Sequence, residues 1–215
     1  MKAQHLHLTR SARRGFTLIE ILIVVAIMAS LALVMWEAQG WVQGKSLRSQ
    51  AESEISVLEA SLNACKADNG GILPFARGDE YSSHILYKAL SCDEDNNGEP
   101  DEENGSVRMP YCSTLSIIKN KKDKEVMEGI PAQRAKITAK DGGKRITGKF
   151  FLIYDPWGNP YRYRLGFESE DEKGKSGSGV NPDFDIFSLG PDGLGDGLTN
   201  DGDNKDNVSN VRSWK

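Results

Sequence analysis

The sequence predicts an α+β fold in which one long N-terminal helix packs on a small antiparallel sheet, with a glycine-rich acidic loop near the C-terminus. Three observations predict it. An apolar stretch interrupted by one acid runs from Phe16 to Trp36. Apolar residues then recur every three to four positions as far as Cys65. Short aromatic or alternating segments appear late, at 150–154, 160–165 and 184–189, bounded by turn residues, which is the pattern of strands.

From Phe16 to Trp36 is about 21 residues, which rise roughly 31 Å as a helix, enough to cross the hydrocarbon of a bilayer. Lys2, Arg10, Arg13 and Arg14 precede it. Under the positive-inside tendency, residues 1–14 stay in the cytoplasm and the C-terminal part lies outside. The reading is a transmembrane helix over 16–36 and an extracytoplasmic domain over 37–215. Glu20 interrupts the span. A carboxylate there costs roughly 2.5–3.5 kcal/mol, so it either snorkels to the headgroups or meets a partner. Beyond the span, Leu47, Ala51, Ile55, Leu58, Leu62 and Cys65 mark an amphipathic continuation of the same helix, ending at Asn69-Gly70-Gly71, where glycine takes a left-handed cap. Gly40 and Gly44 lower helix propensity by about 1 kcal/mol each. They either permit a bend or are simply tolerated.

With 215 residues, 27% charged and 38% hydrophobic, the chain has room for one membrane helix and one modest domain. The net charge of −4 argues against a nucleic-acid surface, and the run Lys119 to Lys124 reads as a solvated face. The Pro-Trp-Gly-Asn turn at 156–159 joins 150–154 to 160–165 as a hairpin. Alternation buries Tyr161, Tyr163 and Leu165 and leaves Arg162 and Arg164 wet. Trp157 reads as a core anchor. The three histidines are His5, His7 and His84. No Ser/His/Asp or Cys/His set accompanies them, nor a glycine loop with a phosphate-binding lysine. No catalytic residue is assigned, and His84 reads as a surface or packing residue.

Two acidic stretches stand out. The run from Gly190 to Asn207 is dense in carboxylates, amides and glycines, the donors that a hard cation such as calcium takes from a flexible loop. Val208, Val211 and Trp214 then pin its far end. The run Asp93 to Asn104 places the oxygens of Asp93, Asp95, Asn97, Glu99 and Asp101 at positions 1, 3, 5, 7 and 9 of an EF-hand-like loop, with Gly98 at position 6. Asn104 stands at position 12, where a bidentate glutamate is expected, so the match is partial. Cys92 and Cys112 bracket this stretch and in an oxidising compartment can close it as a disulfide. Cys65 leaves all three pairings open.

The start Arg13-Arg14-Gly15-Phe16-Thr17-Leu18-Ile19-Glu20 resembles the class III signal of type IV pilins and pseudopilins. That resemblance implies that a prepilin peptidase removes residues 1–15 by cutting after Gly15, and methylates the new terminal Phe16. It also gives Glu20 a partner, because the carboxylate of one subunit and the new amine of its neighbour are each costly in a low-dielectric layer and tolerable together.

Further along, Leu62-Asn63-Ala64-Cys65-Lys66-Ala67-Asp68-Asn69-Gly70, Pro74, Asp155-Pro156-Trp157-Gly158-Asn159-Pro160-Tyr161, and Asp183 to Gly193 with Ser188-Leu189-Gly190-Pro191-Asp192-Gly193 resemble the major pseudopilin of type II secretion. The resemblance implies a pilin-like fold and a homopolymer forming a periplasmic fibre that helps drive protein export. It further implies contacts with minor pseudopilins, the prepilin peptidase and an inner-membrane assembly platform, and a single pass through the inner membrane. Calcium would be held by the Leu189 carbonyl, Asp192, and Asp203 and Asp206, with Asp196 and Asp201 as competitors. The chain departs from the pattern in three ways: it has no proline before Pro74, its C-terminal loop is longer, and residues 91–149 have no counterpart and read as an insertion. Alternative readings are a type IV pilin subunit, or a minor tip subunit or adhesin with calcium-dependent binding.

Overall fold

The computed structural model describes residues 17–103, 105–120, 128–141, 144–169, 177–195 and 207–210. The chain divides into two units, Met1–Gly44 and Lys45–Lys215. The first helix, α1 (Leu18–Asp68), has 51 residues and contributes to both. Gly40 and Gly44 are both helical.

In the first unit, the described side chains from Thr17 to Ala32 are all exposed. Among the described residues no helix is long and apolar enough to cross a membrane. The expected span of 16–36 lies only partly among the residues whose side chains are described. Phe16 lies outside the described residues, and the stretch with described side chains, 18–32, rises only about 22 Å against the roughly 30 Å of a bilayer core.

In the second unit the amphipathic reading of α1 is confirmed. Ala51, Ile55, Leu58, Leu62 and Cys65 are buried in the core. The helix stops as expected: Gly70 and Gly71 have φ of +66° and +91°, and the Gly71 N–H donates to the Lys66 carbonyl at 2.8 Å, satisfying one of the orphan carbonyls of the last turn. The sequence reading passed over Glu54, which is buried on the same face and accepts hydrogen bonds from the Tyr161 hydroxyl at 2.7 Å and the Gln50 amide at 2.8 Å.

A second helix, α2 (Ser82–Ser91), packs Leu86, Tyr87 and Leu90 into the core. After it come the short strands β1 (Glu102–Glu103) and β2 (Ser106–Val107), which pair with each other, then β3 (Leu115–Ile118), β4 (Ile130–Asp141) and β5 (Lys144–Ile153). β3 runs parallel to β4, and β4 antiparallel to β5, in one sheet of order β3-β4-β5. The last strands, β6 (Arg162–Leu165), β7 (Phe184–Ser188) and β8 (Val208–Ser209), form an antiparallel sheet of order β6-β7-β8.

The three expected strands therefore exist, but they do not make one sheet. The segments either side of the Pro-Trp-Gly-Asn turn touch through a single bridge, Tyr154 with Pro160, and a Tyr161 N–H bond to the Ile153 carbonyl. They then part into different sheets. The reason is α2. The Ser83 hydroxyl accepts from the Ile153 N–H at 2.9 Å and donates to the Ile153 carbonyl, and the Ser82 hydroxyl accepts from the Tyr163 N–H at 3.0 Å. These buried backbone groups are satisfied by side chains, so a hairpin ladder is not needed to satisfy them.

Alternation along β6 holds for Tyr161, Tyr163 and Leu165, all fully buried, and fails for Arg164, which is 4% exposed. Its guanidinium lies over the Phe187 ring, donates to the Arg77 carbonyl and faces the buried Asp185 at 3.8 Å. Arg162 is half-buried rather than wet.

His84 is a packing residue. It is buried on α2 with Nδ1 3.2 Å from the Phe151 carbonyl oxygen and its ring against Tyr81 and Phe150. Burial lowers its pKa from 6.5 to about 4. The folded state thus holds the neutral imidazole, and its contribution to stability is full above pH 6.5 and is lost as pH falls through 4. Wild-type full chain, unfolded in urea, should lose up to about 3 kcal/mol more than His84→Gln across that window. Parallel stability curves for the two chains would contradict the buried neutral histidine.

Candidate functional site

The first candidate site is the start of α1. The Thr17 hydroxyl accepts from the Glu20 N–H at 3.3 Å and the Glu20 carboxylate accepts from the Thr17 N–H at 3.4 Å. This is a reciprocal capping box, written in the sequence as Thr17-Leu18-Ile19-Glu20 and not read there as such. Glu20 lies in the first turn, where a negative charge also suits the helix dipole. On either side of it Leu18, Ile19, Ile21, Leu22, Ile23, Val24, Val25, Ile27, Met28 and Leu31 are between 48% and 84% exposed. A helix apolar all round is one that something else covers. Gly15 and Phe16, the expected cleavage and methylation positions, lie outside the described residues.

The second is the loop after β7. Asp155 is 3% exposed, and its carboxylate gathers the turn and the loop. One oxygen accepts from the Trp157 and Asn159 N–H groups at 3.0 and 2.8 Å. The other accepts from the Ser188 hydroxyl, which itself accepts from the Gly190 N–H. The Asn159 amide donates to the Gly190 carbonyl at 2.7 Å. Burial raises the Asp155 pKa, and these hydrogen bonds offset the rise. The Asp-Pro-Trp-Gly-Asn turn is thus the bracket for the Ser-Leu-Gly loop, and Trp157 packs, partly buried, against the core. Leu189 is buried and Asp192 exposed, with Asp192 Oδ1 accepting from the Leu194 N–H at 2.9 Å. Gly190 and Gly193 both have φ of +69°, which a side chain would strain. Asp196, Asp201, Asp203 and Asp206, together with Val211 and Trp214, lie outside the described residues. Val208 is buried in β8.

The third is the acidic loop after α2. Asp93 is fully buried, accepting from the Tyr87 hydroxyl at 2.6 Å and from the Gly98 and Asn97 N–H groups at 2.7 and 2.9 Å. Carboxylate oxygens of Asp93, Asp95 and Asp101 lie within 4.8 Å of one another. Asn97 is turned back on Asp95, its Nδ2 donating at 3.0 Å. The fold brings together the carboxylates at positions 1, 3 and 9 of the EF-hand-like spacing.

The expected Cys92–Cys112 disulfide is not formed. All three cysteines are free and buried. Cys92 sits in a left-handed cap of α2 with its thiol toward the Met109 carbonyl, Cys112 has its sulfur 3.3 Å from the Thr114 hydroxyl, and Cys65 accepts from the Asn69 amide. Each sulfur has a polar neighbour of its own. Burial raises the thiol pKa of Cys65 and Cys92, which keeps them unreactive.

A family model described as the prokaryotic N-terminal methylation motif matches residues 10–36. The chain is also 26% identical, over 194 residues, to the type II secretion system core protein G of Pseudomonas aeruginosa, an alignment that covers 90% of this chain and 94% of that protein. The chain resembles the pilin-like pseudopilins. The similarity runs through the whole length and not only through the signal. The pseudopilin family is structural and not enzymatic. No solved structure matches the chain.

Proposed function

We propose that this pseudopilin-like chain is a structural subunit of a type II secretion pseudopilus, polymerising through its N-terminal helix into a periplasmic fibre that helps drive protein export. The observation that carries the reading is the exposed apolar surface of α1 directly after the Thr17–Glu20 capping box. Before assembly the span 16–36 sits in the inner membrane as a single pass with residues 37–215 in the periplasm. After cleavage at Gly15 the amine of Phe16 in one subunit meets Glu20 of the next. Minor pseudopilins, the prepilin peptidase and the inner-membrane platform are the partners of that cycle. Burying the charges as a pair is tolerable; removing one leaves the other uncompensated. Glu20→Ala in the full chain, expressed with its assembly machinery, should cut the yield of sheared fibre by about tenfold or more while leaving the chain processed and in the membrane. Undiminished fibre would contradict the pairing.

Calcium is the cofactor of this reading. Leu189, Asp192, Asp203 and Asp206 would hold it, with Asp196 and Asp201 as competing ligands. The bracket from Asp155 and Asn159 supports the reading, because it fixes the Leu189–Gly193 turn and leaves the Asp192 carboxylate exposed with one oxygen uncommitted. An oxygen-only donor set suits a hard divalent ion. The ion would lock the loop to the bracket and add stability by mass action. Saturating calcium should raise the melting temperature of the full chain in detergent by about 5–10 °C, and Asp192→Asn should remove most of that rise. A rise abolished by Asp95→Asn instead moves the ion to the acidic loop after α2, and no rise at all rejects calcium.

A further inference from the structure

We propose that the β4–β5 hairpin is a cationic docking arm that takes the acidic loop, residues 93–103, of an adjacent copy of this chain. The inference rests on the reading of the chain as a polymer subunit and gives the otherwise unexplained insertion a role in it.

Between Arg134 and Lys149 the sequence places six bases and one acid, in a chain whose acids outnumber its bases 31 to 27. The pairing register concentrates them. Lys136 stands directly opposite Lys149, Thr138 opposite Thr147, and Lys140 opposite Arg145. Because side chains alternate along a strand, these positions share one face. Lys136, Thr138, Arg145, Thr147 and Lys149 are exposed, while Ile137 on the other face is buried. The Thr138 and Thr147 hydroxyls lie 3.0 Å apart at the centre of the strip. Like charges set directly opposite each other destabilise a sheet. Among the described residues no carboxylate lies within ion-pair distance of Lys136, Arg145 or Lys149. Arg134, nearer the core, is different: it stacks on Phe151 and donates to the Asn96 carbonyl.

The complement lies in the same insertion. From Asp93 to Glu103 there are seven acids and no base. Glu94, Glu99 and Glu103 are met by Lys88, Lys119 and Arg108 of their own chain, and Asp93 is buried and hydrogen-bonded. Asp95, Asp101 and Glu102 have no ion pair among the described residues, and Asp95 and Glu102 are exposed. The loop is held in shape: the Asn96 side chain bonds both the Lys149 carbonyl and the Phe151 N–H, and Asp93 fixes the turn from within. A shaped acidic loop and a shaped basic strip are different surfaces of opposite sign. Two different surfaces of opposite sign can meet head to tail, and such a heterologous contact repeats from copy to copy as the polymer reading requires.

The test uses the full chain with its assembly machinery. Lys136→Glu with Lys149→Glu should lower sheared fibre roughly five-fold, and adding Asp95→Lys with Glu102→Lys should restore it. Where the reversed chain melts below wild type, Lys136→Gln with Lys149→Gln replaces it, and half-maximal fibre dissociation should then shift to lower salt. Fibre unchanged by the reversal, with Glu20→Ala still abolishing it, overturns the docking arm and leaves the polymer reading intact. If Glu20→Ala also has no effect, both fall. Fibre lowered without rescue by the acid reversals also overturns the copy-to-copy contact, and lost binding of the reversed chain to phosphatidylglycerol vesicles would then assign the strip to an anionic lipid surface.

Discussion

An apolar helix surface with a single acid at its head has to be covered by something, and the rest of this structure makes sense around that requirement. Each large side chain left in water forgoes about 1.5–3 kcal/mol of burial, and ten of them stand exposed between Leu18 and Leu31. In the proposed reading, lipid covers such a surface before assembly and other helices cover it afterwards. Glu20 is compatible with both states, because in the lone subunit it closes a capping box with Thr17. In the proposed fibre it would be the charge that takes a neighbour's amine, and the capping box turns the carboxylate toward the helix start, where that amine would arrive.

The second unit is organised so that a functional loop is held by the core rather than by the loop itself. Buried Tyr161 ties β6 to Glu54 on α1, Ser82 and Ser83 tie β6 and β5 to α2, and Asp155 ties the Pro-Trp-Gly-Asn turn to Ser188. Three of these ties use a buried polar side chain where a continuous sheet would use backbone pairing. Such groups are expensive unless fully satisfied, which makes the arrangement specific: the loop at Leu189–Gly193 has few other ways to sit. Asp185 does the same for the preceding segment, accepting from the Val180 and Asn181 N–H groups beside Arg164.

What was legible in the sequence was what local pattern controls. The helical repeat from Ala51 to Cys65, the glycine cap at Gly70 and Gly71, and the strands β6 and β7 all follow from spacing and turn chemistry. What was not legible depends on long-range partners. Arg164 alternates like a solvent-facing residue and is buried because Phe187, Asp185 and the Arg77 carbonyl surround it. The hairpin at 150–165 splits because α2, ten residues with weak outward signals, supplies serines to the strand edges. β4 carries Pro131, alanines and lysines where a strand usually shows branched residues, so of that sheet only the end of β5 was legible. At the acidic loop, spacing gave Asp93, Asp95 and Asp101 as positions 1, 3 and 9, and folding brings those three together. The capping box at Thr17 and Glu20 was also available from sequence, since Thr17 stands three residues before the acid.

The central claim is that the working chain begins with a charged, trimmed terminus that meets Glu20 of another copy. Intact-mass and N-terminal peptide mass spectrometry of the protein from cells with active processing machinery tests this most directly. The account predicts a chain starting at Phe16 and carrying one added methyl group. Native material that still begins ahead of Phe16, incorporated in fibres, would contradict it.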